Sequence, residues 1–404
     1  MLTSKRNLRT GDPVWAAERK PGVAHTSLNE SLETDVLVVG AGISGALVAE
    51  RLTDASLHVV LVDRRSPLAG STSASTALLQ HELDTPLTQL SRAIGSSAAE
   101  GVWRRSRLVV AALAERTLRL GIDADLVPRD ALYLAGDVLD ASGMAREARA
   151  RERAGFEVEL LDRQQLRARY GIARSAALLG FGDFVADPRK LAAGYLRAAV
   201  RRRAKIFAPV DVIDVQEHPR HVLATTSQGL TIRARHAVFA TGYEVAKGVK
   251  TKGHEVRSTW VLATRPQRRK LWPTECMIWE ASDPYLYLRT TTDARVLCGG
   301  GDEPFSDAER RDAASPRKIA RLQLQLQALM PTLDVTPDYS WAGTFGSSEL
   351  GTPLIGRLPG KHRTYAVLGC GGNGITFSML AAQLIRGLIC GDGDADEKLF
   401  ALRA

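Results

Sequence analysis

The chain has 404 residues, 45% of them apolar and 25% charged, with a formal net charge of +9. That length exceeds one simple core, so two domains are expected, and no apolar run approaches the ~20 residues a membrane helix needs. The basic residues are spread along amphipathic helices such as 103–120, and short runs at 201–203 and 268–270 lack interleaved aromatics, which argues against nucleic-acid binding.

Residues 1–33 read as an extended arm anchored by Pro13, Trp15 and Pro21. Charges occur throughout this arm and no apolar h-region is present, so no secretory signal is expected. The cysteines, Cys276, Cys298, Cys370 and Cys390, are scattered with no C-x-x-C pair. That pattern excludes a zinc site or a disulfide framework and points to a reducing cytoplasm.

The stretch VLVVGAGISGALV, residues 36–48, carries the first chemistry. Residues 36–39 form a buried strand, and residues 46–52 the helix behind it. Between them Gly40, Gly42 and Gly45 stand in G-x-G-x-x-G spacing. Gly40 makes the tight turn, Gly42 lets a pyrophosphate approach the backbone, and Gly45 lets helix and strand pack closely. The helix N-terminus adds free N–H groups and partial positive charge. A second apolar run, 57–62, ends in Asp63, near the ~20-residue spacing of an acid that binds a ribose 2′-OH. These features predict a bound dinucleotide, and FAD and NAD both fit them.

A serine- and threonine-rich loop, GSTSASTALLQHELD, follows at 70–84. Helical periodicity covers 86–120, strand pattern 126–134, and a charged helix 141–154. Asp187 and Pro188 open a further helix that runs to about residue 203. The period then changes to two, predicting strands at 210–215, 222–226, 230–234 and 237–240. More strands are expected at 255–263, 285–289 and 295–298, then a helix at 307–330. The last strand, 364–368, runs into a second glycine-rich turn at 369–374 and a closing helix. A chain that opens and closes on a strand–glycine–helix unit implies a cofactor domain built from both ends, with a sheet domain inserted.

Five motifs together resemble the D-amino-acid oxidase family of flavoproteins, which includes glycine oxidase, sarcosine oxidase and gamma-glutamylputrescine oxidase-like proteins. They are VVGAGISG with Asp63, GSTSAST at 70–76, VFATGY at 238–243, WAGTFG with TPLIG within 341–356, and GCGGNGITFS at 369–378. Their order and spacing select FAD over NAD. The resemblance implies an α/β fold: a discontinuous Rossmann-like FAD-binding domain with an inserted, mixed or antiparallel substrate sheet. The expected division is an arm at 1–33, FAD-binding parts at 34–84, 187–250 and 335–404, and substrate parts at 85–186 and 251–334.

The resemblance also implies FAD contacts from Gly40, Gly42, Ile43, Ser44, Gly45 and Asp63, with Arg64 bordering the adenosine. Ser71, Thr72, Ser75 and Thr76 suit phosphate and flavin edges. Val212 would meet the adenine by backbone contacts, and Thr241 and Gly242 would pass the pyrophosphate. Gly371, Gly372, Asn373, Gly374, Ile375 and Thr376 would set a positive helix end beneath the flavin. On the substrate side, Tyr287 and Arg289 resemble a Tyr-x-Arg strand of amine-oxidising relatives, and Arg289 would hold a carboxylate. His81 and Glu82 would lie near the ring, and His254 is a weaker candidate. Cys370 sits where a covalent flavin tether is conceivable, but its glycine turn favours a packed thiol and non-covalent FAD.

One departure bears on the substrate. Relatives that oxidise simple amino acids carry an arginine after W-A-G-x, where this chain has Phe345. The expected activity is oxidation of a C–N bond in a small amine or N-substituted amino acid, with O2 or another electron acceptor. A dehydrogenase feeding a quinone or partner protein, and a subunit with structural FAD, are the alternatives.

Overall fold

A computed structural model of the chain describes residues 2–3, 5–17, 21–246, 254–368 and 370–402. The strand Leu32–Val39 lies at the heart of an eight-stranded sheet. It pairs in parallel with Val59–Val62 on one side and with Thr231–Phe239 on the other. Val36, Leu37 and Val38 are fully buried because both faces of this sheet are covered. Thr364–Leu368 extends the parallel order at one side and Lys205–Phe207 at the other. The sheet therefore gathers strands from the start, the middle and the end of the chain.

The helices Ile43–Asp54, Pro188–Arg201 and Gly374–Cys390 pack together over it. Asp187 caps the middle one by accepting from the N–H groups of Arg189 and Lys190. Among the described residues, no helix is long and apolar enough to cross a membrane.

The second sheet has ten strands and is mainly antiparallel. Pro337–Ser348, His254–Thr264, Val296–Glu303, Leu286–Thr290 and Met277–Glu280 lie side by side, and Val127–Leu134 and Ala176–Val185 continue them. Helix Ala308–Leu329 covers one face, burying Leu322, Leu326 and Leu329 against Trp260, Leu262 and Leu288.

Several expectations need correction. Residues 230–240 form one strand, Thr231–Phe239, because no turn residue interrupts them. The 86–120 region is two helices, Leu87–Ile94 and Ser96–Arg119, parted by Gly95 at φ +86°. Strand Pro337–Ser348, expected in the final FAD-binding part, runs in the ten-stranded sheet against His254–Thr264. The arm contributes Arg9–Gly11 as an edge strand on Pro337–Ser348. The proposed boundary at 250 and Gly369 of the second turn lie outside the described residues.

Candidate active site

At the first glycine turn the backbone leaves no room. Gly40 sits at φ +113°, and a Cβ there would collide with the carbonyl oxygen of Ala240. A Cβ at Gly45 would collide with the carbonyl oxygen of Gly40, so this glycine sets the close packing of helix on strand. Gly42 is different: a Cβ there meets only the Thr72 hydroxyl, at 3.0 Å, and faces a cavity. The Thr72 hydroxyl also accepts from the Ile43 N–H at 3.1 Å, tying the serine loop to the helix start.

Gly40, Gly42, Ile43, Ser44, Ser71 and Thr72 line this cavity, as do Val212, Thr241 and Gly242. Asp63 lines it too, its carboxylate accepting from the N–H groups of Ala41 and Arg65, each at 2.8 Å. Burial raises its pKa, against those two bonds. Arg64 forms the rim and is paired with Asp211 at 3.1 Å.

A second cavity continues from the first. Ile43, Ser44, Ser71, Thr72 and Gly242 line both, so the two make one elongated channel. Here Ser75 and Thr76 of the serine loop face Gly371, Gly372, Asn373, Gly374 and Ile375 of the second glycine turn. Ser44 and Ser378 share a hydrogen bond of 2.7 Å that ties the two glycine-led helices near their N-termini. Two helix N-termini thus open on a single channel, polar at one half and apolar-walled at the other. That shape and those backbone N–H ends suit a pyrophosphate joined to a planar ring system, so the residues present fit FAD. Cys370 borders the channel, and burial pushes its thiol up to about 12. It is a protonated thiol at neutral pH.

Of the expected site residues, Gly45, Thr376 and His81 do not line the channel. Thr376 is fully buried and donates to the Gln80 carbonyl at 3.2 Å. His81 lies behind the channel wall, where its ring is 2.8 Å from Asp183 and stacks on Phe156 at 5.7 Å. The whole loop is sewn down by such contacts. The Glu82 carboxylate is paired with Arg151 at 2.6 Å, and its carbonyl accepts from the Asn373 side chain at 2.6 Å. Asp84 then accepts from the Gly372 N–H at 3.0 Å. His81 and Glu82 are therefore positioning residues for Asp84 and the second glycine turn. The His81 ring is engaged by Asp183 and one Glu82 carboxylate oxygen by Arg151. His254 touches the site only indirectly, beside Tyr243 and Gly346.

The opposite wall comes from the antiparallel sheet. Tyr287 lines the channel as expected, with Trp279, Tyr285, Thr259, Phe345 and Asp302. Arg289 shares its strand face but lies further along, in a separate cavity beside Trp15 and Asp187. Its guanidinium lies 5.0 Å from the Trp15 ring and donates to the Ala77 carbonyl at 3.4 Å. Burial lowers its pKa to about 9. A residue two along a strand shares a face yet sits ~7 Å away, and here that step crosses the wall of the channel. The expected carboxylate partner is therefore absent from the channel.

Sequence reading missed Asp84, Tyr243, Trp279, Tyr285 and Asp302, all of which line the channel. No spacing rule unites them, since they come from a loop, a turn, two sheet strands and the position just before a third.

Comparison with known proteins accords with this geometry. The chain is 26% identical over 392 residues to the gamma-glutamylputrescine oxidoreductase of Escherichia coli (strain K12), covering 94% of this chain and 89% of that protein. It is 25% identical over 369 residues to the glycine oxidase of Geobacillus kaustophilus (strain HTA426), covering 88% and 92%. The crystal structure of glycine oxidase from Geobacillus kaustophilus superposes with a TM-score of 0.74 at 22% identity, covering 92% of this chain and 98% of that one, which establishes a shared fold. Since the family model for FAD dependent oxidoreductases, DAO, matches residues 35–388, the chain belongs to the DAO family of FAD-dependent oxidoreductases.

Proposed function

We propose that this protein oxidises a C–N bond of a small amine or N-substituted amino acid to an imine, which water then hydrolyses. The observation that carries this reading is the continuous channel, with two glycine-led helix ends on one side and an aromatic sheet wall on the other. Gly42, Ile43, Ser44 and Thr72 would hold the pyrophosphate, and Asp63 with Val212 would hold the adenosine end. Gly371 to Ile375 would border the ring, where the helix N-terminus would stabilise negative charge. Family relatives named for an amine and for an amino acid support the substrate class.

An ammonium substrate gives one proton to solvent on entry; the neutral amine's carbon then loses hydride, and the nitrogen lone pair makes the carbon–nitrogen bond double, leaving a protonated imine. Bound FAD supplies the acceptor for that electron pair. The protein's share is placement: Trp279, Tyr285 and Tyr287 press the substrate toward the glycine turns and keep water out. Burial pushes the pKa of Tyr243, Tyr285 and Tyr287 upward, so their phenols stay protonated and act as donors. No side chain needs to serve as a general base.

The test is an anaerobic screen of amines and amino acids against the purified holoprotein, read by flavin absorbance. Bleaching by at least one small amine is expected. A chromophore that none of them bleaches would refute the reading. Readmitting O2 and assaying peroxide then separates an oxidase from a dehydrogenase.

A further inference from the structure

The charges that line the sheet-walled half of the channel are of one sign. Among the described residues lining its sheet-walled half, Asp84 and Asp302 are the only acidic side chains, and there is no lysine, arginine or histidine. Asp302, on strand Val296–Glu303, is 7% exposed, and its Oδ1 has no hydrogen-bond partner among the described residues. Asp84 spends one oxygen on the Gly372 N–H. A Cβ at Gly372 would lie 2.9 Å from the other Asp84 oxygen and 3.1 Å from the Tyr285 hydroxyl, so both groups converge on the same spot. Trp279, stacked on Tyr133 with ring centroids 3.9 Å apart, and the pair Tyr285 and Tyr287 add aromatic faces.

Isolated buried carboxylates are costly, and they persist where a cation completes them. The charge of Arg257 acts on both aspartates. Its guanidinium is not part of the lining and lies 3.9 Å from Asp283 instead. Arg289 is confined to its own cavity, and Phe345 occupies the channel.

We propose that Asp302 and Asp84 select an organic ammonium ion that carries no carboxylate at its reacting end, so that alkyl amines and diamines are favoured over α-amino acids. This inference rests on the C–N oxidation reading of the same site. Carboxylates recognise the ammonium charge, aromatic faces attract the alkylated cation, and an α-carboxylate is repelled.

The test is calorimetric binding to the holoprotein at pH 8, above the value of about 6 to which burial pushes Asp302. The probes are butyltrimethylammonium, which has no N–H and cannot become an imine, neutral 1-butanol, and butyrate. The cation should bind at least about tenfold tighter than butanol, and butyrate more weakly than butanol. Asp302→Asn should erase about tenfold of the cation's affinity while leaving butanol binding and FAD content unchanged. Asp84→Asn should act in the same direction, and the ranking of the three probes on the unmodified protein needs no variant. Butyrate binding as tightly as the cation, or cation affinity unchanged in both variants, would overturn the proposal. Cation selectivity in a protein that no amine bleaches supports this inference and refutes the oxidation reading alone. Bleaching by amines with binding that favours butyrate does the reverse.

Discussion

The two walls of the channel are built by different means. The glycine-turn wall uses backbone: N–H groups, helix ends and positions where a Cβ has no room or would block a ligand. The sheet wall uses side chains from separated strands, brought together only by pairing registers such as Leu286 opposite Gly300 and Trp279 opposite Tyr287. Backbone cradles depend on contiguous residues and fixed spacing, whereas the sheet wall depends on long-range register. In the proposed function the first wall holds the family's shared cofactor, and the second sets the choice of substrate.

Changes in the two walls should therefore have separable consequences. The largest effect is expected at Gly45, where a side chain meets backbone that cannot move. Gly45→Val should abolish soluble folded protein, checked by expression and circular dichroism. Gly42→Val should be gentler on the fold, because only the Thr72 hydroxyl stands near. It should yield folded protein with little FAD, read from the ratio of flavin to protein absorbance. A Gly42→Val protein that keeps its full yellow colour would mean that the phosphates lie elsewhere.

How much of this was legible follows from the same contrast. VLVVGAGISG, Asp63, the serine loop and the second glycine turn announce themselves, because their chemistry sits within a few residues. The capping Asp187 and the last strand at Thr364–Leu368 were equally local. Tyr287 was found through its strand motif, but Asp302 and Asp84 were not, since nothing local says that two carboxylates from distant segments will share a channel. Arg289 illustrates the converse. The alternation of its strand gave the right face, but the position of the channel along that strand is a tertiary fact. Proximity in sequence to the serine loop likewise suggested a chemical role for His81, whereas Asp183, from strand Ala176–Val185, claims its ring.

His81 offers a medium-sized test of the loop that joins the two walls. Burial opposes its protonation, but the Asp183 carboxylate and then Glu82 outweigh that and raise its pKa. A raised folded-state pKa stabilises the fold fully below the unfolded value of ~6.5, and this contribution is lost as pH rises through the folded value. His81→Gln should therefore lower Tm most near pH 6, by roughly 1 °C for each kcal/mol lost in a chain of this length, and less near pH 9. A Tm gap that grows with pH would reverse the sign and dismiss the Asp183 pairing.

The smallest effect is expected at Arg289. Replacing a buried, poorly bonded cation by an apolar side chain is often neutral. Arg289→Leu should change the affinity of carboxylate-bearing and carboxylate-free substrates by less than about twofold alike, as measured by flavin titration. A selective loss for the carboxylate-bearing ones would bring the arginine back into the substrate wall.

The central claim is that two glycine turns at opposite ends of the chain form one cradle for FAD, held without a covalent bond. It is tested most directly by acid precipitation of the purified protein. With the Cys370 thiol protonated, the account predicts that the yellow chromophore passes into the supernatant, as FAD and at about one equivalent per chain. Colour retained in the pellet would contradict the non-covalent cradle, and a colourless protein that added FAD cannot reconstitute would contradict the cradle itself.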